Sequence, residues 1–266
     1  MRYALKFGYH GKNFSGYARQ PRLRTIEGDI IKALKKTKMI LSEREANFQT
    51  ASRTDKGVSA LGNVIAFNTE FKGDVILGAL NAYLEEIWFY GITEVKSNFN
   101  PRHAKQRWYR YYLIDDGMEL ISLKNISKIF QGTHNFSNFA RLEEGNDPVK
   151  SIDSIEISKK KEFIILDFKA QSFLWYMVRR VVKSMMDVVM GKHTLDDIKD
   201  ALEANTKVDF GIAPPEPLIL MDVKYDFEFK VDRINLRNLE MTLKKGLHTL
   251  RTQEMIYDHM LGILEE

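Results

Sequence analysis

The chain has 266 residues, with 40 Lys plus Arg against 36 Asp plus Glu, a formal net charge of +4 and no cysteine. Absence of cysteine excludes thiol nucleophiles, thiolate zinc sites, iron–sulfur clusters and disulfides. The N-terminus has no long apolar run and stretches such as 75–84 fall far short of the ~20 residues of a membrane helix, so a cytoplasmic protein free of the membrane is expected.

Residues 2–9 alternate, with Tyr3, Leu5, Phe7 and Tyr9 on one face, which predicts a half-buried strand. Thr25 reads as an N-cap, and Ile26, Ile30 and Leu34 behind it predict a helix to Lys36. Phe48 onward is loop or short strand, 63–68 a strand, and 75–84 has helical spacing. Strands are expected at 92–96 and 107–113, with a hinge between two halves at 102–106. Beyond it, 121–132 looks helical, and 155–158 and 163–169 are strands about the polar turn 159–162. Leu174, Met177, Val178, Val181, Met185, Val188 and Val189 form one apolar stripe at helical spacing, closed by Gly191. Three prolines, at 214, 215 and 217, precede a strand at 218–225, and the tail from Asp232 to Glu266 is helical in pattern. Strands flanked by single helices in each half predict an α+β fold with mostly antiparallel sheets.

Charge is unevenly placed. Residues 1–26 carry six cations and no acid, 95–114 carry five and none, and 168–186 carry four and none. Each window also holds aromatics. Cations neutralise phosphates and aromatic faces stack on unpaired bases, so the windows point to nucleic acid. A short echo, Asn13-Phe14-Ser15-x-Tyr17-Ala18-Arg19 and Asn135-Phe136-Ser137-x-Phe139-Ala140-Arg141, suggests related halves.

The six histidines show no i, i+4 pair and no carboxylate cluster beside them, which argues against a metal site. Dinucleotide, P-loop and nucleophile-elbow motifs are missing, so no cofactor is expected. What remains is Ser52-Arg53-Thr54-Asp55-Lys56-Gly57-Val58-Ser59-Ala60. Arg53 and Lys56 are expected to hold Asp55 ionised, able to act as nucleophile or base. The residues alone fit a polar loop with a local ion pair better.

This stretch resembles the active-site motif of the TruA family of tRNA pseudouridine synthases, with Asp55 on the catalytic aspartate. The resemblance runs in order from Tyr3 to Tyr225. It continues through Phe7-Gly8-Tyr9-His10-Gly11, Phe14-x-Gly16-Tyr17 with Gln20, and Asn81 with Leu84. Arg102-His103-Ala104 before Arg107-Trp108-Tyr109-Arg110-Tyr111 follows, then Phe130-x-Gly132-Thr133-His134-Asn135-Phe136. Phe173-Leu174-x-x-Met177-Val178-Arg179 and Ala213-Pro214 with Leu218 and Leu220 close the set. Ser52, Ser59, Glu85, Asn135 and Pro217 depart from the family pattern.

The resemblance implies the pseudouridine synthase fold, two ferredoxin-like α+β halves around a central cleft. The chain is expected to divide into 1–104 with the Asp loop, 105–229, and a helical extension 230–266 whose helical tail lies outside the resemblance. The resemblance implies conversion of uridine to pseudouridine at positions 38, 39 and 40 of the tRNA anticodon arm, by a homodimer without cofactor or metal. Asp55 would be nucleophile or base, Tyr109 would lie over the base, and Arg179 would pair with Asp55. Arg53 would fill the gap left by the extruded nucleotide. His10, Arg19, Gln20, Lys56, Arg107, Arg141, Arg180 and Lys183 would contact tRNA. The helical stripe leaves Arg179, Arg180 and Lys183 off the apolar face, so Arg179 need not be buried. A non-catalytic tRNA-binding protein or RNA chaperone on this scaffold is the alternative. A glycosidase-like hydrolase lacks a second convincing carboxylate.

Overall fold

Strand β1, Arg2–Tyr9, forms where the alternation predicts, but both of its faces are buried. The structure is a computed structural model and describes residues 1–264. The second face is covered because Phe229 lies over Lys6, with 5.2 Å from Nζ to the ring centroid. Tyr225, Phe227, Phe229 and Phe99 stack into an aromatic layer there. Arg2 is buried at the edge of this layer, and its guanidinium donates to Phe99 O, Asn47 O and the side chains of Asn68 and Gln49 at 2.9–3.0 Å. Those bonds replace the water it lost.

Thr25 caps α1, Ile26–Lys36, by accepting the N–H of Gly28 at 3.2 Å. Short β2, Gln49–Thr50, leads to the Asp55 loop and then to β3, Ser59–Asn68, which begins four residues before its expected start. Helix α2, Gly73–Asn81, ends earlier than its apolar spacing suggests. Asn81 explains the stop. Its amide exchanges two hydrogen bonds with the backbone of Phe89 in β4, Ile87–Glu94.

The second half opens with β5, Gln106–Ile114, whose alternate residues are buried. Helix α3, Leu120–Ile129, follows, and then β6, Gly132–Asn135, which pairs with β7, Val149–Ile152, in a small separate sheet. Strands β8, Ser154–Lys160, and β9, Phe163–Ala170, flank a turn where Lys161 has φ of 55°. Helix α4 runs Met177–Val189, with Gly191 in left-handed conformation just beyond it. Leu174, read as part of the stripe, lies before this helix. Helix α5, Leu195–Leu202, is opened by a capping box between Thr194 and Asp197. Strands β10, Leu218–Lys224, and β11, Lys230–Val231, precede α6, Arg233–Leu264. The tail is helical as far as it is described; Glu265 and Glu266 lie outside the described residues.

One sheet joins both halves in the order β11-β4-β1-β3-β10-β5-β9-β8, with β2 added on β3. All its pairings are antiparallel except β10 with β3, where Ile219 and Leu220 face Ser59 and Ala60. The late strand β10 therefore wedges between the first half and β5. That junction sets the Asp55 loop, which runs into β3, beside Tyr109, which pairs with Leu220 on β10.

Candidate active site

The loop carrying Asp55 is held from both sides. Tyr17 N–H donates to Thr54 O at 3.1 Å, and the Tyr9 and Thr54 hydroxyls lie 2.8 Å apart. Val58 N–H donates to Asp55 O at 3.2 Å, closing a turn in which Gly57 has φ of 87°. Positive φ at the third turn residue is the type II pattern, which glycine adopts without strain.

Asp55 is bound by residues from the other half. Arg179, in α4, donates through Nη1 to Asp55 Oδ2 at 2.9 Å, and Trp175 donates through Nε1 to Oδ1 at 3.0 Å. The Asp55 side chain keeps 15% of its exposure and that of Arg179 10%. Sequence spacing left Arg179 free to be exposed; the structure buries it. Segment 211–214 lies over that side of α4, and Ala213 O accepts Arg179 Nε at 2.7 Å while Ala213 N–H donates to Arg179 O at 3.2 Å.

The pair with Arg179 is the one the resemblance implies, whereas the ion pair expected within the loop is not formed. Arg53 and Lys56 are exposed and form no ion pair among the described residues. Burial pushes the Asp55 carboxyl above its ordinary range, opposed by the hydrogen bond and charge of Arg179 and by the Trp175 hydrogen bond. Desolvation penalises the charged form, and the local cations of the loop are too hydrated to reverse it.

Tyr109 is buried and meets Phe173 edge to face at 5.3 Å between centroids. Burial raises its phenol to about 12, with the Asp55 charge adding to the rise and Arg107 and Ser52 opposing it. Tyr111 is core, and its hydroxyl donates to Pro214 O at 3.0 Å.

These groups share a cleft of about 920 Å³. Its lining includes Gln20, Arg53, Asp55, Lys56, Arg107, Tyr109 and Arg179. A second groove, of about 770 Å³, has Asp116 and Glu119 as its charged lining and no cation to pair with them.

Other expected residues lie elsewhere or are already engaged. His10 is exposed outside the cleft lining, and Arg19 pairs with Glu27 and Glu43. Arg180 pairs with Asp209 at 2.9 Å, and Lys183 with Asp187. Arg107 lines the cleft, yet it is buried and its guanidinium is spent on the protein. It donates to Ser52 Oγ at 3.0 Å, Ala51 O at 2.8 Å, Arg102 O at 3.0 Å and Gln171 O. It thus ties the Asp55 loop to the chain leading into Trp175, with four of its five N–H donors engaged within the protein. Two departures from the family pattern have partners: Ser52 receives Arg107, and Ser59 Oγ accepts Gly11 N–H at 3.0 Å.

Trp175 was not expected at the site. It is 39% exposed, with the Arg141 guanidinium 4.3 Å from its ring centroid and Arg141 N–H donating to Trp175 O at 2.9 Å. Tyr176 follows with φ of 67°, and this left-handed residue turns the chain into α4. Nothing in the periodicity marks Trp175, because its role depends on a contact 120 residues away.

Among the described residues, no three His, Cys, Asp or Glu side chains gather into a metal site, and no helix is long and apolar enough to cross a membrane.

A family model described as tRNA pseudouridine synthase matches residues 126–226. The tRNA pseudouridine synthase A of Thermococcus sibiricus is 41% identical over 98% of this chain and 99% of its own. That of Pyrococcus abyssi is 42% identical over 92% of this chain and 93% of its own. That of Pyrococcus furiosus is 38% identical over 98% of each. Similarity of this degree, across nearly whole chains, places the protein in the TruA-type family of tRNA pseudouridine synthases, isomerases that convert uridine in tRNA to pseudouridine.

Proposed function

We propose that this chain isomerises uridines 38, 39 and 40 in the anticodon arm of tRNA, with Asp55 as the nucleophile. The observation that carries the reading is the Asp55–Arg179 pair, 2.9 Å long, in a cleft where Tyr109 is the buried neighbour and Arg53 and Lys56 are exposed cations. The reaction breaks the N1–C1′ bond, turns the base and joins C5 to C1′. The proton leaving C5 is balanced by the one gained at N1. No electrons are exchanged with a second substrate, so no cofactor is called for.

The residues divide the work. Arg179 orients the carboxylate through Oδ2, and its buried cation offsets part of the desolvation of Asp55. A carboxylate stripped of water is a stronger nucleophile than a hydrated one. Tyr109, neutral with its phenol near 12, supplies a ring to hold the base and can pass a proton only by giving one as it accepts one. Arg53 fills the space vacated by the extruded nucleotide, and Lys56 and Gln20 contact the tRNA backbone. Residues 1–104 supply the nucleophile and 105–229 supply Tyr109 and Arg179. We place the protein in the cytoplasm, as a homodimer.

The test is Asp55→Ala on uridine-containing tRNA. The variant is expected to form no pseudouridine while binding tRNA normally. Equal yield from variant and wild type would overturn the assignment of Asp55.

A further inference from the structure

Two side chains donate to Asp55, and they are held very differently. Arg179 is buried within α4, whereas Trp175 precedes that helix and is 39% exposed. Its Nε1–H must keep Asp55 Oδ1 at 3.0 Å against competing water. A half-exposed donor keeps one partner only where its ring is fixed. Tyr176, whose ring lies 4.9 Å from the indole, gives one support, and its φ of 67° is a strained turn into α4.

Arg141 gives the other. It follows Phe139 and Ala140, both buried, so its backbone is rooted in the core. Its N–H donates to Trp175 O at 2.9 Å in an isolated antiparallel bridge, and its guanidinium lies 4.3 Å from the ring centroid. Trp175 lines the cleft and Arg141 does not, so the guanidinium backs the ring from behind. Its own loop reaches the cleft through Glu143, Asn146 and Lys150, which sets Arg141 at the rim.

The charge of Arg141 is unspent. It is exposed and forms no ion pair or side-chain hydrogen bond among the described residues, although Glu143, Glu144 and Asp147 share its loop. Its five N–H donors are therefore open. A planar guanidinium laid on an aromatic ring, with its edge free, matches a phosphate.

We propose that Arg141 is a positioning residue for the isomerisation: it takes a phosphate of the tRNA backbone and, through its stack on Trp175, keeps the indole N–H on Asp55. Substrate held away from the target base thus fixes the nucleophile, so that remote binding raises kcat. The inference rests on the isomerase reading.

Single-turnover kinetics on tRNA test it, with Arg141→Ala, Trp175→Phe and the double variant. Arg141→Ala is expected to lower the rate at saturating tRNA about two- to five-fold, the scale of an exposed cation–π contact. It should also reduce the salt slope of tRNA binding by about 1. The acid limb of its pH–rate profile should move upward. Arg179 and Tyr109, which also face Asp55, and Arg53 and Lys56 beside it are unchanged in the variant. Trp175→Phe keeps a ring and loses the N–H, so in that background Arg141→Ala should change the salt slope and leave the rate alone. An unchanged rate and acid limb in Arg141→Ala would make it a phosphate contact only and overturn the relay, as would a fully additive loss in the double variant. An unchanged salt slope would overturn the phosphate contact. Wild type forming no pseudouridine would overturn the isomerase reading and the inference together. Pseudouridine from wild type and none from Asp55→Ala keeps that reading, whatever Arg141 shows.

Discussion

Asp55 shows how the fold trades stability for reactivity. Burial raises its carboxyl pKa, so the folded state binds the proton more tightly than the unfolded chain does. The sign follows: the stabilisation from a protonated Asp55 is complete below about 3.9, the unfolded value, and is lost as pH rises through the raised folded value. Asp55→Asn should therefore gain melting temperature relative to wild type between acid and neutral pH while losing activity. A melting difference that shrinks over that range would contradict the account. Trp175 holds the oxygen that Arg179 does not. Trp175→Phe should lower kcat about ten-fold, the scale of a hydrogen bond to a charged group, and leave tRNA affinity unchanged. The acid limb of its pH–rate profile should move upward, because the lost bond favoured the ionised form. An unmoved limb would reduce Trp175 to packing. Asp55 was legible in the sequence because its neighbours form a dense motif. Of its partners, Arg179 was legible through the family resemblance alone, since ion-pair reasoning pointed to adjacent Arg53 and Lys56, and Trp175 was not legible at all.

At the level of elements, the strands and helices that alternate or repeat cleanly were readable, and their boundaries depended on single contacts. Asn81 ends α2 by bonding to β4, which no helical pattern reveals. Helix α5 was missed although Thr194 and Asp197 carry a capping-box signal; its eight residues give little periodicity. Strand β1 read as half-buried because the aromatic layer over its second face comes from residues 225–229. The turn after β1 packs tightly on the Asp55 loop. A Cβ at Gly11 would lie 2.3 Å from Val58 O. Gly11→Ala should displace that loop and reduce activity more than it reduces tRNA binding, read as a kcat loss at unchanged Kd. Phe139 belongs to the core below α4, against Phe130, Phe136 and Phe210. Phe139→Ala should cost about 3–5 kcal/mol, measured by urea unfolding, through the cavity it leaves.

For the whole molecule, the late strand β10 matters most, because it inserts between β3 and β5 and makes one sheet of two halves. The site sits over that junction, so neither half alone holds the Asp55–Arg179 pair. The expectation of two α+β halves gave no sign of the joint, since a parallel pairing of residues 59–60 with 219–220 leaves no local trace. The acid-free basic windows divide as well. Arg107, Arg180 and Lys183 serve internal bonds, whereas Arg53 and Lys56 face the cleft unpaired among the described residues. The most direct measurement is position mapping of pseudouridine in tRNA after incubation with purified protein and no metal or nucleotide. Pseudouridine is expected at positions 38 to 40 with wild type and none with Asp55→Asn at equal tRNA affinity. Equal modification by both proteins, or modification elsewhere in the tRNA, would contradict it.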